Sequence, residues 1–148
     1  MEVERRQTPV CPACSFVAYA DPKVAAAAIV ERDGRLLLVQ RARVPIGQWC
    51  IPAGYVNADE APGTAAEREI EEETGLRARV GGLLDVLADT NAGILLVVYR
   101  ATIIGGTLRI DPDENVAAGF FGEDDLPDVS ALAFVTGRAA ILAWMRDR

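Results

Sequence analysis

Residues 54–76 read GYVNADEAPGTAAEREIEEETGL, and they place Glu67, Glu69, Glu71, Glu72 and Glu73 close together with Arg68 as the only cation among them. Read as a helix, the stretch puts Glu69, Glu72 and Glu73 on one face, because residues three and four apart are neighbours. Like charges at that spacing cost a helix roughly 0.2–0.5 kcal/mol per pair. Glu72 and Glu73 also fall near the helix C-terminus, where the macrodipole disfavours negative charge. A bound cation reverses the sign of these terms, and converging carboxylates are the hard oxygen ligands that Mg²⁺ and Mn²⁺ prefer. The helix boundaries are written in the same stretch. Thr64-Ala65-Ala66-Glu67 fits a capping box with Thr64 as N-cap, and Gly75 fits the residue that ends a helix in the left-handed region. That leaves about ten helical residues, a length that packing must hold. Ala66 and Ile70 face the core on this reading. Glu67 and Glu71 fall on the solvated side, and the small Ala65 lies on the acidic arc and leaves room there for a ligand.

An acidic surface helix would show the same charges, but not the same spacing. Gly54 is followed by Glu60 and then by Arg68-Glu69-Ile70-Glu71-Glu72-Glu73-Thr74-Gly75-Leu76. This fills every fixed position of G-x5-E-x7-R-E-U-x-E-E-x-G-U, where U is a bulky aliphatic residue. The chain therefore resembles the Nudix hydrolase family. The resemblance implies an α/β/α sandwich with a mixed sheet, the box forming a loop–helix–loop, and hydrolysis of a nucleoside diphosphate linked to another moiety.

Composition limits the alternatives. A chain of 148 residues is long enough for one good core. The formal charge of −7 argues against a nucleic-acid surface, yet not against a phosphorylated substrate if a metal ion stands between acids and phosphates. No apolar run reaches the roughly 20 residues of a membrane span. The start, MEVERRQTPV, lacks a signal peptide's apolar region, and three cysteines suit a reducing compartment, so a cytoplasmic location is expected. With no histidine, catalysis by a Ser/His/Asp or Cys/His triad is excluded.

Along the chain, residues 24–30 read as a buried strand. Asp33-Gly34 is a hairpin turn into a return strand at 36–40. A loop around Pro45 leads to a short strand at 48–51. After the acidic helix, 79–87 and 93–103 read as strands, Gly105-Gly106 as a turn, and 116–121 as a last strand. Residues 132–145 are apolar at helical spacing. Strands interleaved with two helices give an α/β layered fold. We divide the chain into an N-terminal extension, 1–23, and a catalytic segment, 24–148.

Further segments resemble one branch of the family, the hydrolases of ADP-ribose and FAD. They are Cys11-Pro12-Ala13-Cys14 with Tyr19-Ala20-Asp21-Pro22-Lys23, Gly47 to Tyr55 around Trp49, and Leu132-Ala133-Phe134. The first resembles the second half of a zinc ribbon. Its other Cys pair is absent and Ser15 stands where a Gly is usual, so a closed zinc site is not expected. A metal-free remnant, a zinc shared across a dimer and a disulfide formed on oxidation stay open for Cys11 and Cys14. Cys50 reads as a small buried hydrophobe. Asn57 stands where many relatives carry Glu.

The resemblance assigns roles. Glu69, Glu72 and Glu73, with Gly54, map onto the metal-binding positions for Mg²⁺ or Mn²⁺. Arg68 and Glu60 support them. The general base is Glu69 or Glu114, with Asp113 as a substitute, and the segment 111–114 could also be a plain polar turn. Arg41 is a phosphate contact or an ordinary surface ion pair. Trp49 stacks on adenine or packs at the sheet edge, Trp144 packs, and of Phe120 and Phe121 one is core and one exposed. The expected substrate is ADP-ribose, FAD or NADH. A nucleoside triphosphate, oxidised or not, is the alternative, and a non-catalytic ADP-ribose sensor the third reading. Many relatives are dimers, and a homodimer would use the 93–103 strand or the N-terminal segment.

Overall fold

The computed structural model describes residues 2–3 and 6–147. Residues 1, 4, 5 and 148, at the two ends of the division made above, lie outside the described residues. The strands are β1 (Glu2–Val3), β2 (Arg6–Gln7), β3 (Lys23–Arg32), β4 (Arg35–Arg41), β5 (Trp49–Cys50) and β6 (Ala53–Tyr55), followed by α1 (Pro62–Thr74). Then come β7 (Leu76–Asp89), β8 (Ile94–Gly106), β9 (Asn115–Phe121) and α2 (Val135–Arg146).

The apolar run of β3 lies at the centre because both of its faces are buried. The main path of the sheet runs β5-β4-β3-β8-β7, with β6 also paired to β3 and β9 to β4. β3 and β8 are parallel, and the other pairings of this sheet are antiparallel. A mixed sheet of this kind needs helices on both faces, and it has them. Ala25, Ala27 and Ile29 pack with Ile141 and Trp144 of α2. The alternate residues meet α1: Ala26 packs with Ala65 and Ala66, and Ala28 and Val30 with Ile70. This is the α/β/α sandwich that the resemblance implies. No helix among the described residues is long and apolar enough to cross a membrane.

Asp33 and Gly34 both take positive φ, as the hairpin signal requires. Other boundaries move. α1 starts two residues before Thr64, with Ala61 as N-cap and Pro62 inside the first turn, and no side chain caps it. Pro lacks the N–H that a cap would satisfy and has its φ preset for a helix, so it displaces the capping box. Gly75 ends α1 in the left-handed region, as expected. Gly105-Gly106 is not a separate turn but the end of β8. α2 begins at Val135, three residues later than its periodicity suggests. Phe120 and Phe121 are both half-buried, because alternation in β9 sends one to each apolar cluster. Trp144 is fully buried, and its indole Nε1 donates to Glu31 at 2.7 Å.

In the N-terminal segment a bridge joins Val10 and Val17. The loop it closes carries Cys11 and Cys14, both free thiols.

Candidate active site

Burial of Ala65, Ala66 and Ile70 fixes the rotation of α1 about its axis. That rotation turns Glu69 and Glu73, one helical turn apart, toward β6 and inward: Glu69 is 9% exposed and Glu73 6%. Gly54 faces Glu69 so closely that any Cβ there would overlap its carboxyl group. Glu73 receives a long hydrogen bond, 3.4 Å, from the Ala53 amide.

A third acid joins them from far along the chain. The β4–β9 ladder shifts register between Gln40 and Arg41, and the Ala42 amide then donates to the Glu114 carbonyl at 2.8 Å. This clamp places Glu114 at the mouth of the site. Carboxylate oxygens of Glu69, Glu73 and Glu114 all lie within 4.8 Å of one another. Asp113, the substitute considered for Glu114, is exposed and outside this group.

Arg68 braces the outer side. Its guanidinium donates to Glu60 at 2.6 and 3.2 Å, to Glu69 at 2.7 Å, to Glu72 at 3.1 Å and to the Tyr55 carbonyl at 3.0 Å. Glu60 in turn accepts from the Asn57 amide at 3.0 Å, so the loop before α1 is tied to the helix. Glu72 is held by Arg68, stays largely exposed and does not join the trio. Helical spacing and the resemblance both grouped it with Glu69 and Glu73. Its carboxylate accepts from the guanidinium four residues earlier at the exposed end of that face, outside the close trio.

Two further expectations about α1 need correcting. Glu67 is not solvated: it accepts from the Val80 amide at 2.9 Å and ties α1 to β7. Ala65 leaves no room for a ligand, because it is fully buried against Ala26.

The trio lines a cavity of about 410 Å³. Arg41, Cys50, Asn115 and Phe134 share its wall. Among the described residues Arg41 makes no surface ion pair. Its Nη2 donates to the Val44 carbonyl at 2.9 Å, and its guanidinium stacks 4.8 Å from the centre of the Phe134 ring. Trp49 packs at the sheet edge, edge-on to Phe121 at 4.9 Å. Cys50 is buried, as expected. Phe134 belongs to the Leu132-Ala133-Phe134 segment noted above, with no role assigned to it there, and Asn115 was not singled out from sequence. The left-handed φ of +61° at Phe134, uncommon for a bulky side chain, leaves no sequence signal.

The electrostatics follow from burial. Desolvation pushes the Glu73 carboxyl well above the usual carboxylate range, and the neighbouring Glu69 and Glu114 push the same way. Burial also raises Glu69, against the pull of Arg68. Glu60 is lowered, chiefly by its hydrogen bonds from Arg68. Burial lifts the Cys50 thiol to about 11. Buried carboxylates that repel one another, with oxygens converging on one point, are the donor set of a hard divalent cation. The residues present therefore fit such an ion.

With the fold and site in view, the comparisons with known proteins agree. The Nudix domain family matches residues 21–145. A MutT-like protein of Streptomyces ambofaciens is 37% identical over 70% of this chain and 65% of its own length. An ADP-ribose pyrophosphatase of Methanocaldococcus jannaschii is 35% identical over 76% of this chain and 69% of its own. The chain thus spans about two thirds of the length of these two relatives. A solved Nudix hydrolase from Nitrosomonas europaea superposes with a TM-score of 0.84, at 29% identity, over 94% of this chain and 78% of that one. The chain belongs to the Nudix hydrolase family, which acts on pyrophosphate bonds.

Proposed function

We propose that the protein hydrolyses the diphosphate linkage of a nucleoside diphosphate derivative, with ADP-ribose as the first candidate and FAD and NADH beside it. The observation that carries this reading is the convergence of Glu69, Glu73 and Glu114 in a cavity that also holds the Arg41 guanidinium. The similarity to an archaeal ADP-ribose pyrophosphatase supports the substrate.

Glu69 and Glu73, which the resemblance joins with Glu72 and Gly54, would hold a divalent ion, Mg²⁺ or Mn²⁺, beside the Glu114 carboxylate. When bound, such an ion neutralises the diphosphate and makes water a better nucleophile. Arg68 fixes the Glu69 carboxylate, and Glu60 fixes Arg68 in turn, so these two act as positioning residues. Arg41 contacts a phosphoryl oxygen. Glu114 serves as general base. Its carboxylate is half-exposed, and its nearest cation is Arg43 at 3.7 Å, whereas Glu69 is engaged by Arg68 at 2.7 Å. In the reaction a water proton passes to Glu114, the water oxygen bonds to one phosphorus, and the bridging P–O bond breaks. The second phosphate departs with the bond's electron pair.

A second reading, hydrolysis of a nucleoside triphosphate, rests on the similarity to the MutT-like protein. One panel separates the two: ADP-ribose, FAD, NADH, a diadenosine polyphosphate, dGTP and 8-oxo-dGTP with Mg²⁺, comparing wild type with Glu73→Gln. Cleavage of ADP-ribose by the wild type alone is expected. Turnover limited to triphosphates moves the protein to the second reading. Binding of ADP-ribose with no turnover of any substrate overturns both in favour of a sensor. We place the protein in the cytoplasm, as its cysteine usage suggests.

A further inference from the structure

Among the described residues, two buried polar groups of the cavity wall have no hydrogen-bond partner: Nε of Arg41 and Nδ2 of Asn115. Both residues line the cavity that holds the three acids. They face each other across the β4–β9 ladder, at the point where its register shifts. Residues directly opposite on antiparallel strands carry Cβ atoms about 4.5–5.5 Å apart, so both side chains serve the same patch of wall.

Asn115 is 3% exposed. An amide that deep normally finds an acceptor, since a donor left unpaired costs roughly 1–3 kcal/mol. The backbone carbonyls at hand already accept bonds, and the side-chain acceptors that share the cavity are the Cys50 sulfur and the acids themselves. The Glu114 carbonyl takes the Ala42 amide, and the Val44 carbonyl takes Nη2 of Arg41. None of these pairs with either donor, so an acceptor that enters the cavity finds both of them open. It must be an anion or a strong oxygen acceptor, because one of the two waiting donors is a guanidinium.

We infer that Asn115 is a substrate-binding residue whose Nδ2–H, together with Nε–H of Arg41, receives a non-bridging oxygen of the substrate's phosphoryl group. This rests on the reading of the site as a diphosphate hydrolase and extends it to a residue beside the acids. The amide supplies what a second cation would not: a donor that adds no charge to a site already balanced between three carboxylates, an arginine and an incoming ion.

The test is binding, measured apart from turnover. Calorimetry with the hydrolysis-resistant α,β-methylene-ADP in Ca²⁺, and with adenosine alone, is run on wild type, Asn115→Asp and Asn115→Leu. Asn115→Asp keeps the shape and replaces the donor by an acceptor. Asn115→Leu removes the donor without adding charge and remains informative if the buried aspartate prevents folding. The expected result is a loss of methylene-ADP affinity of about 10–100-fold in either folded variant, the scale of one hydrogen bond to a charged group, with adenosine binding unchanged. For ADP-ribose, KM rises by a similar factor and kcat moves less. Wild-type affinity for methylene-ADP in a folded variant overturns the inference and leaves the hydrolase reading standing, as does equal weakening of adenosine. A wild type that neither binds methylene-ADP nor cleaves any diphosphate in the panel removes the hydrolase reading, and this inference with it.

Discussion

On the α1 side of the cavity, Arg68 makes five hydrogen bonds and ties together Glu60, Glu69, Glu72 and the backbone of Tyr55. On the β4–β9 side, Arg41 Nε and Asn115 Nδ2 are buried with no hydrogen-bond partner among the described residues. The contrast separates two jobs. A wall that must present carboxylates in fixed positions is held rigid by hydrogen bonds supplied within the protein. A wall that must receive a ligand keeps donors waiting and pays their desolvation in advance. Each side can be broken separately.

The largest effect is expected at Gly54. Gly54→Ala puts a methyl group where the Glu69 carboxyl sits. Turnover should fall about 100-fold, the scale of an ångström's misplacement of a reacting group. A melting temperature near wild type would show that the loss belongs to the site. Unchanged kinetics would mean that the Glu69 position does not matter.

Arg68→Lys keeps the charge but not the planar fork that reaches several acceptors at once. Activity should drop about 10–100-fold, and stability by about 2 kcal/mol, because partners of a 29%-exposed hub are left unpaired. Kinetics and urea melts measure the two effects. If lysine serves as well as arginine, the brace on the α1 side is only a charge effect.

Metal-free protein gives a smaller, pH-dependent effect. The Glu73 carboxyl is raised by burial and by its acidic neighbours. A raised folded-state value means the carboxyl's contribution to stability is complete below the ordinary carboxylate range and is lost as pH rises through the shifted value. In a chelating buffer Glu73→Gln should therefore match wild type near pH 4 and be the more stable of the two at pH 7.5. Thermal melts across that range check the sign, and a Gln variant that is weaker at pH 7.5 contradicts it.

The smallest effect probes the receiving wall. With its thiol lifted to about 11, Cys50 should stay unalkylated by iodoacetamide at pH 8 while the exposed Cys14 reacts. Peptide mass spectrometry gives the order, and early labelling of Cys50 would show that this wall opens to solvent.

The same contrast marks what was legible in the sequence. The α1 wall is local: Gly54, Glu60, Arg68, Glu69 and Glu73 lie within one continuous stretch, and their spacing announces both the helix and the acids. The apolar run of β3 likewise fixes the centre of the sheet. Sequence periodicity gives neighbours one turn apart, such as Arg68 and Glu72, but not partners on other elements, so it could not show that Glu67 reaches the β7 backbone. The receiving wall is assembled from distant segments by a register shift between β4 and β9. Glu114 could be suspected from its distance to the aromatic end of the last strand. Asn115 could not, because burial without a hydrogen-bond partner among the described residues is a property that exists only once the chain has folded.

The position of β3 has a consequence for how the chain folds. It lies between β4 and β8, and its parallel pairing with β8 closes around both α1 and β7. Emerging from the ribosome, the chain delivers β3 and the acidic helix well before β8. Long-range parallel pairings form slowly because loop closure precedes any gain from contact. Until β8 arrives, α1 has only part of the surface it must cover. The three acids can converge only once β9 has paired with β4, and β9 is the last strand of the chain, so the repelling cluster completes after the strands and helix that hold its other members have been made.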